Sequence, residues 1–121
     1  MTESDLDKLG SFLMTNLRDR GISFAETALD GAWKAPSLIK LQQQLASLSP
    51  EQKELVLDCV ARSIDHSIHD FLFALTEQRD KVELSIHGHD AVPLSDGLHG
   101  EAYGEQGWIH RFSKYRDVGR K

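Results

Sequence analysis

The chain has one cysteine, Cys59, so no internal disulfide can form and the fold must rest on packing alone. It has no apolar run near the roughly eighteen residues that a membrane span needs. Residues 1–20 carry charges throughout, which leaves no uninterrupted apolar core of the kind a signal peptide requires. There is no internal repeat and no low-complexity segment. These absences predict a cytoplasmic protein without membrane association. With 121 residues the chain suits a single domain, 1–121, able to bury a core without metal or disulfide props.

Signatures of catalysis and metal binding are also missing. No H-E-x-x-H, paired C-x-x-C or EF-hand loop occurs. His99-Gly100-Glu101 matches the H-x-E fragment of zinc deaminases, but those need a downstream P-C-x-x-C, and the one cysteine lies upstream. No G-x-S-x-G elbow marks a serine hydrolase. Cys59 sits mid-helix beside Asp58, away from the positive helix end that activates thiolates, so a quiet, packed cysteine is expected. The glycines at 97, 100, 104 and 107 invite comparison with a phosphate loop, yet Asp96, Glu101 and Glu105 occupy that stretch and no lysine precedes Lys114. No cofactor is expected.

What the chain does have is negative charge, unevenly placed. The formal net charge is −5, with the acidic excess in residues 1–104 and a basic tail carrying Arg111, Lys114, Arg116, Arg120 and Lys121. An acidic body repels phosphate backbones and attracts basic proteins, which argues against nucleic-acid binding; otherwise the charge only maintains solubility.

The longest pattern runs from Ser49 to Gln78. Ser49, Pro50 and Gln52 supply a cap, a proline at the first helical position and a capping-box glutamine. Val56, Val60, Ile64, Ile68, Phe71 and Leu75 then recur at helical spacing. Before this spine, Ser4 or Asp5 caps a helix with a stripe of Leu6, Leu9, Leu13 and Leu17, with Phe12 beside it and Gly21 as its stop. Ser23 with Glu26 opens a second helix ending at Asp30-Gly31; Pro36 closes the connector after it, and Ser37 starts a third through Leu38, Leu41, Leu45 and Leu48.

After Asp80 the period changes. Val82, Leu84 and Ile86 alternate with Glu83, Ser85 and His87, predicting a strand with one buried face. Ala91 to Leu94 is expected to return as an edge strand limited by Pro93, and Asp96-Gly97 to make a tight turn. Trp108, Ile109, Phe112 and Tyr115 form a helical cluster before a frayed polar tail. The expected class is α+β, mainly α: a helical bundle over about 1–80 around one long helix, with a small antiparallel β-sheet and a glycine-rich loop over about 81–121.

All six histidines lie between positions 66 and 110. His66 and Asp70 share a face of the spine, aligned with Cys59, Arg62 and Glu77. Two functional readings follow. The first is a protein-interaction module that binds and masks a basic partner, for instance an immunity-type or regulatory protein. Its expected contacts are Asp58, Asp65, Asp96, Glu101, Tyr103 and Glu105; homo-oligomers are compatible with it. The second is a histidine- or metal-dependent enzyme using His66, Asp70, His99 and Glu101, or a metal held by His66, Asp70, His87 and His99. The second requires these groups to converge in one concave site; the first requires only an exposed acidic surface.

Overall fold

The computed structural model describes residues 4–120. It is α+β and mainly α, with one long helix and a two-stranded antiparallel sheet near the C-terminus. Ser4 caps the first helix by accepting the Asp7 N–H at 3.1 Å. That helix does not stop at Gly21. It runs as α1 (Asp5–Leu13), a π-helical stretch (Met14–Arg18) and α2 (Asp19–Leu29) without a break.

The π stretch explains why the expected leucine stripe fails. Widening one turn shifts the helical phase by about one residue. The buried positions therefore run Leu9, Met14, Arg18, Ile22 and Leu29, while Leu17 is left 48% exposed. α2 ends in a Schellman cap, with Gly31 at φ 69° and the N–H groups of Gly31 and Ala32 donating to the Ala28 and Thr27 carbonyls at 3.0 Å. Ser23 opens no helix; it lies within α2.

α3 (Pro36–Leu45) packs on α2 and buries only Gln42. The Gln42 side-chain amide grips the backbone of Trp33: its oxygen accepts the Trp33 N–H and its nitrogen donates to the Trp33 carbonyl, both at 2.9 Å. The connector between α2 and α3 is thereby fixed. α4 (Pro50–Glu77) begins with the expected capping box between Ser49 and Gln52. Its core face is rotated from the expected one: Ala61, Asp65, Ile68, Leu72 and Leu75 are buried, and Phe71 is 50% exposed. No residue of α4 before Ala61 is buried, so the first half of this helix presents Leu55 and its neighbours to solvent.

The expected long strand shrinks to β1 (Ser85–Ile86), paired with β2 (His89–Asp90). His87 and Gly88 form the two-residue turn between them, both at positive φ (50° and 81°), which suits the right-handed twist of a tight hairpin. Of the expected edge strand Ala91 to Leu94 only Ala91 pairs, its N–H donating to the Leu84 carbonyl at 2.8 Å; Val92–Leu94 is a 3-10 turn, because Pro93 has no N–H to give a ladder. Asp96-Gly97 makes no hairpin and leads into a second 3-10 turn, Leu98–Gly100. Leu98, Ala102, Trp108 and Ile109, the last two from α5 (Trp108–Phe112), fill the core against Leu9, Met14, Ile68, Leu72 and Leu75.

The polar tail is not frayed over its described length. Arg18 is fully buried, and all five of its N–H donors are used. Nε and one Nη2 hydrogen go to the Asp65 carboxylate (2.7 and 3.3 Å). The others go to Ser113 Oγ (2.9 Å) and the carbonyls of Tyr115 (2.8 Å) and Val118 (2.7 Å). Ser113 Oγ in turn donates to Asp19 at 2.6 Å, and the second Asp19 oxygen accepts the Lys114 N–H at 3.1 Å.

Candidate functional site

The histidine row on α4 is a solvent face, partly covered at one end. His66 and Asp70 pair at 3.2 Å with 77% and 62% of their side chains exposed. His69 contacts the same carboxylate at 3.1 Å. His99 sets its ring edge-on to His69 and to Phe73, each at 5.2 Å between centroids, and Tyr103 lies 6.2 Å from His69. Thus His66, Asp70 and His99 belong to one neighbourhood, but the first two lie open to water.

Two members of the alternative sets are engaged differently. Glu101 accepts a 2.6 Å hydrogen bond from Ser95 Oγ, which also accepts the Gly97 N–H, so the glutamate helps shape its own loop. His87 does not join His66 and Asp70. It sits in the hairpin turn 3.9 Å from Asp5, beside His89, which contacts Asp5 at 2.8 Å. The His89 hydrogen bond holds the Asp5 carboxyl below its ordinary pKa. Among the described residues no group of three histidine, cysteine or acidic side chains is placed to hold a metal ion. Cys59, expected to be packed, is exposed.

Of the expected partner contacts, Asp65 must be withdrawn. It is buried beneath Tyr103 and paired with Arg18, so it has no surface to offer. The reason is rotational: the buried face of α4 runs through Ala61, Asp65 and Ile68. Asp96, Tyr103 and Glu105 are exposed on the loop, and Glu101 is half-buried. The Tyr103 hydroxyl donates to the Asp65 carbonyl at 3.2 Å; burial, reinforced by the nearby Asp65 and Asp70 carboxylates, raises its pKa.

Asp58 belongs to a more developed feature. The exposed first half of α4 and the moored C-terminal tail enclose a groove of about 460 Å³. Leu55, Leu57 and Val118 give it an apolar floor, and Glu51, Glu54, Asp58 and Asp117 give it an acidic rim, with no basic side chain among its described lining residues. Leu55 is 69% exposed. The tail wall is held by Arg18 through Val118 and lies tight on α4, where Gly119, at φ 77°, packs against Ala61. Arg62 hydrogen-bonds Asp58 at 2.9 Å on the open surface.

Glu51, Glu54, Leu55 and Asp117 were absent from the sequence-derived contacts. The spacing of Glu51, Glu54 and Asp58 along one helix face was readable in principle. Asp117 was not, because it lies in a basic segment and reaches the groove only through the tail's anchorage. The chain matches no protein-family model, no curated protein and no solved structure.

Proposed function

We propose that the chain is a protein-interaction module acting in the cytoplasm, and that the groove between α4 and the tail receives a basic segment of a partner protein. The observation that carries this reading is the combination of an exposed Leu55 floor with an acidic rim of Glu51, Asp58 and Asp117. An apolar side chain flanked by lysine or arginine complements it in shape and charge. The Asp58–Arg62 bridge is a surface pair of the kind worth about 0.3–0.5 kcal/mol, which an incoming cation can replace. An immunity-type or regulatory role, in which the module masks a basic active surface, is the more specific form of the same proposal.

The test compares captures from the native lysate by the tagged wild type, by Glu51→Lys with Asp117→Lys, and by Leu55→Glu. A basic protein retained by the wild type, released as salt rises and lost from both variants supports the reading, provided their melting temperatures stay near wild type. Equal capture by the variants removes the groove from the account. Stoichiometric addition to the purified partner then tests masking directly.

A further inference from the structure

A second concavity lies away from the acidic groove, bounded by α2, the connector after it and α5, and it has the opposite character. It encloses about 680 Å³, within the range of small-molecule sites. Three rings, Phe24, Trp33 and Phe112, supply its walls, and Arg20 and Lys114 stand among its lining residues. We infer that this pocket binds a small aromatic anion, an aryl carboxylate or sulfonate, with its ring against Phe24 and Trp33 and its charge between Arg20 and Lys114.

The aromatic wall is built before any ligand arrives. Phe24 and Trp33 lie 5.5 Å apart at 36°, and the Trp33 indole N–H donates to the Phe24 carbonyl at 3.1 Å. The Gln42 amide clamps the Trp33 backbone from behind. A preformed wall loses little conformational freedom on binding. Phe24 keeps 45% of its surface exposed, so ring area remains for stacking.

Two cationic side chains line the same cavity. Neither Arg20 nor Lys114 has a carboxylate partner among the described residues; Lys114 Nζ rests 5.8 Å above the Tyr115 ring instead. The one acid in the lining, Asp19, is buried with its oxygens committed to Ser113 and the Lys114 N–H. It therefore forms no ion pair with either cation. An otherwise acidic protein thus holds a cavity where an anion meets two bases and a π surface against one carboxylate.

The probe is 8-anilino-1-naphthalenesulfonate, with N-phenyl-1-naphthylamine as its uncharged counterpart, titrated into the full chain at low salt. The sulfonate should bind saturably and more tightly than the neutral dye. Arg20→Ala with Lys114→Ala should weaken sulfonate binding about tenfold or more while leaving the neutral dye and the thermal melt unchanged. Tryptophan-to-dye energy transfer should fall in Trp33→Phe.

Three results would overturn the proposal: no saturable binding, equal affinity for the two dyes, or sulfonate binding insensitive to the double substitution. Loss of the sulfonate on Leu55→Glu would assign the dye to the acidic groove and overturn it as well.

Discussion

Arg18 and Asp65, 47 positions apart, meet as a buried ion pair in which the arginine also holds Ser113 and the carbonyls of Tyr115 and Val118. One guanidinium thereby joins the π stretch, the spine and the tail. Arg18→Met should destabilise the protein by about 3–5 kcal/mol, because it leaves the Asp65 charge and two carbonyls without donors. Arg18→Lys should recover only part of this, since three mobile donors replace a planar fork of five. Urea unfolding measures both, and a neutral Arg18→Met would show that the pair contributes nothing to stability.

Gly10 is covered by the indole of Trp108, and a Cβ there would overlap the ring. Trp108 is itself fully buried. Gly10→Ala should cost about 1–3 kcal/mol through overpacking and should change the Trp108 fluorescence of the folded state. An unshifted melt together with an unshifted spectrum would contradict this packing.

Tyr103 should titrate late. Burial and two carboxylates raise the Tyr103 pKa above its ordinary value of 10.0, so its hydroxyl stays protonated longer in the folded than in the unfolded chain. A raised folded pKa means that its contribution to stability is complete below pH 10 and is lost as pH rises through the folded value. Ultraviolet titration should show a high-pH phenolate step that Tyr103→Phe removes.

The Asp90 carboxyl is held below its ordinary pKa chiefly by its 2.7 Å bond to Arg79, which ties the end of α4 to the hairpin. A lowered folded pKa contributes stability above the unfolded value, 3.8, that is lost as pH falls through the folded one. Carboxyl NMR should find Asp90 titrating below its ordinary value of 3.8, and Arg79→Gln should move it back up.

His87 occupies a turn position with φ 50° that favours asparagine over histidine. His87→Asn should leave the melting temperature unchanged or raise it slightly. A clear loss would mean that the 3.9 Å approach to Asp5 outweighs the turn preference.

The sequence disclosed those features that depend on neighbours in the chain. The start of α4 was readable because Ser49, Pro50 and Gln52 act within four residues of one another. The end of α2 was readable because Gly31 supplies the left-handed residue its cap needs. What depended on distant partners stayed hidden. Nothing near Met14 announces a π turn, so the stripe through Leu13 and Leu17 pointed the wrong way. Asp65 looked like surface charge because its partner is Arg18. The alternation of Val82, Leu84 and Ile86 suggested a strand, but the segment that would pair with Val82 turns aside at Val92–Leu94. The residues from Ser95 to Tyr115 serve largely in packing: Leu98, Ala102, Trp108 and Ile109 enter the core, and Ser113 satisfies Arg18 and Asp19.

The mooring of the tail also bears on synthesis. While the ribosome is still adding residues after Phe112, Arg18 lacks Ser113, Tyr115 and Val118, and a buried guanidinium with missing acceptors is costly. The nascent helices can therefore form early, but the seam where they meet the tail closes only once Val118 has emerged. One wall of the acidic groove is made in that same step, so the groove is incomplete until Val118 is in place.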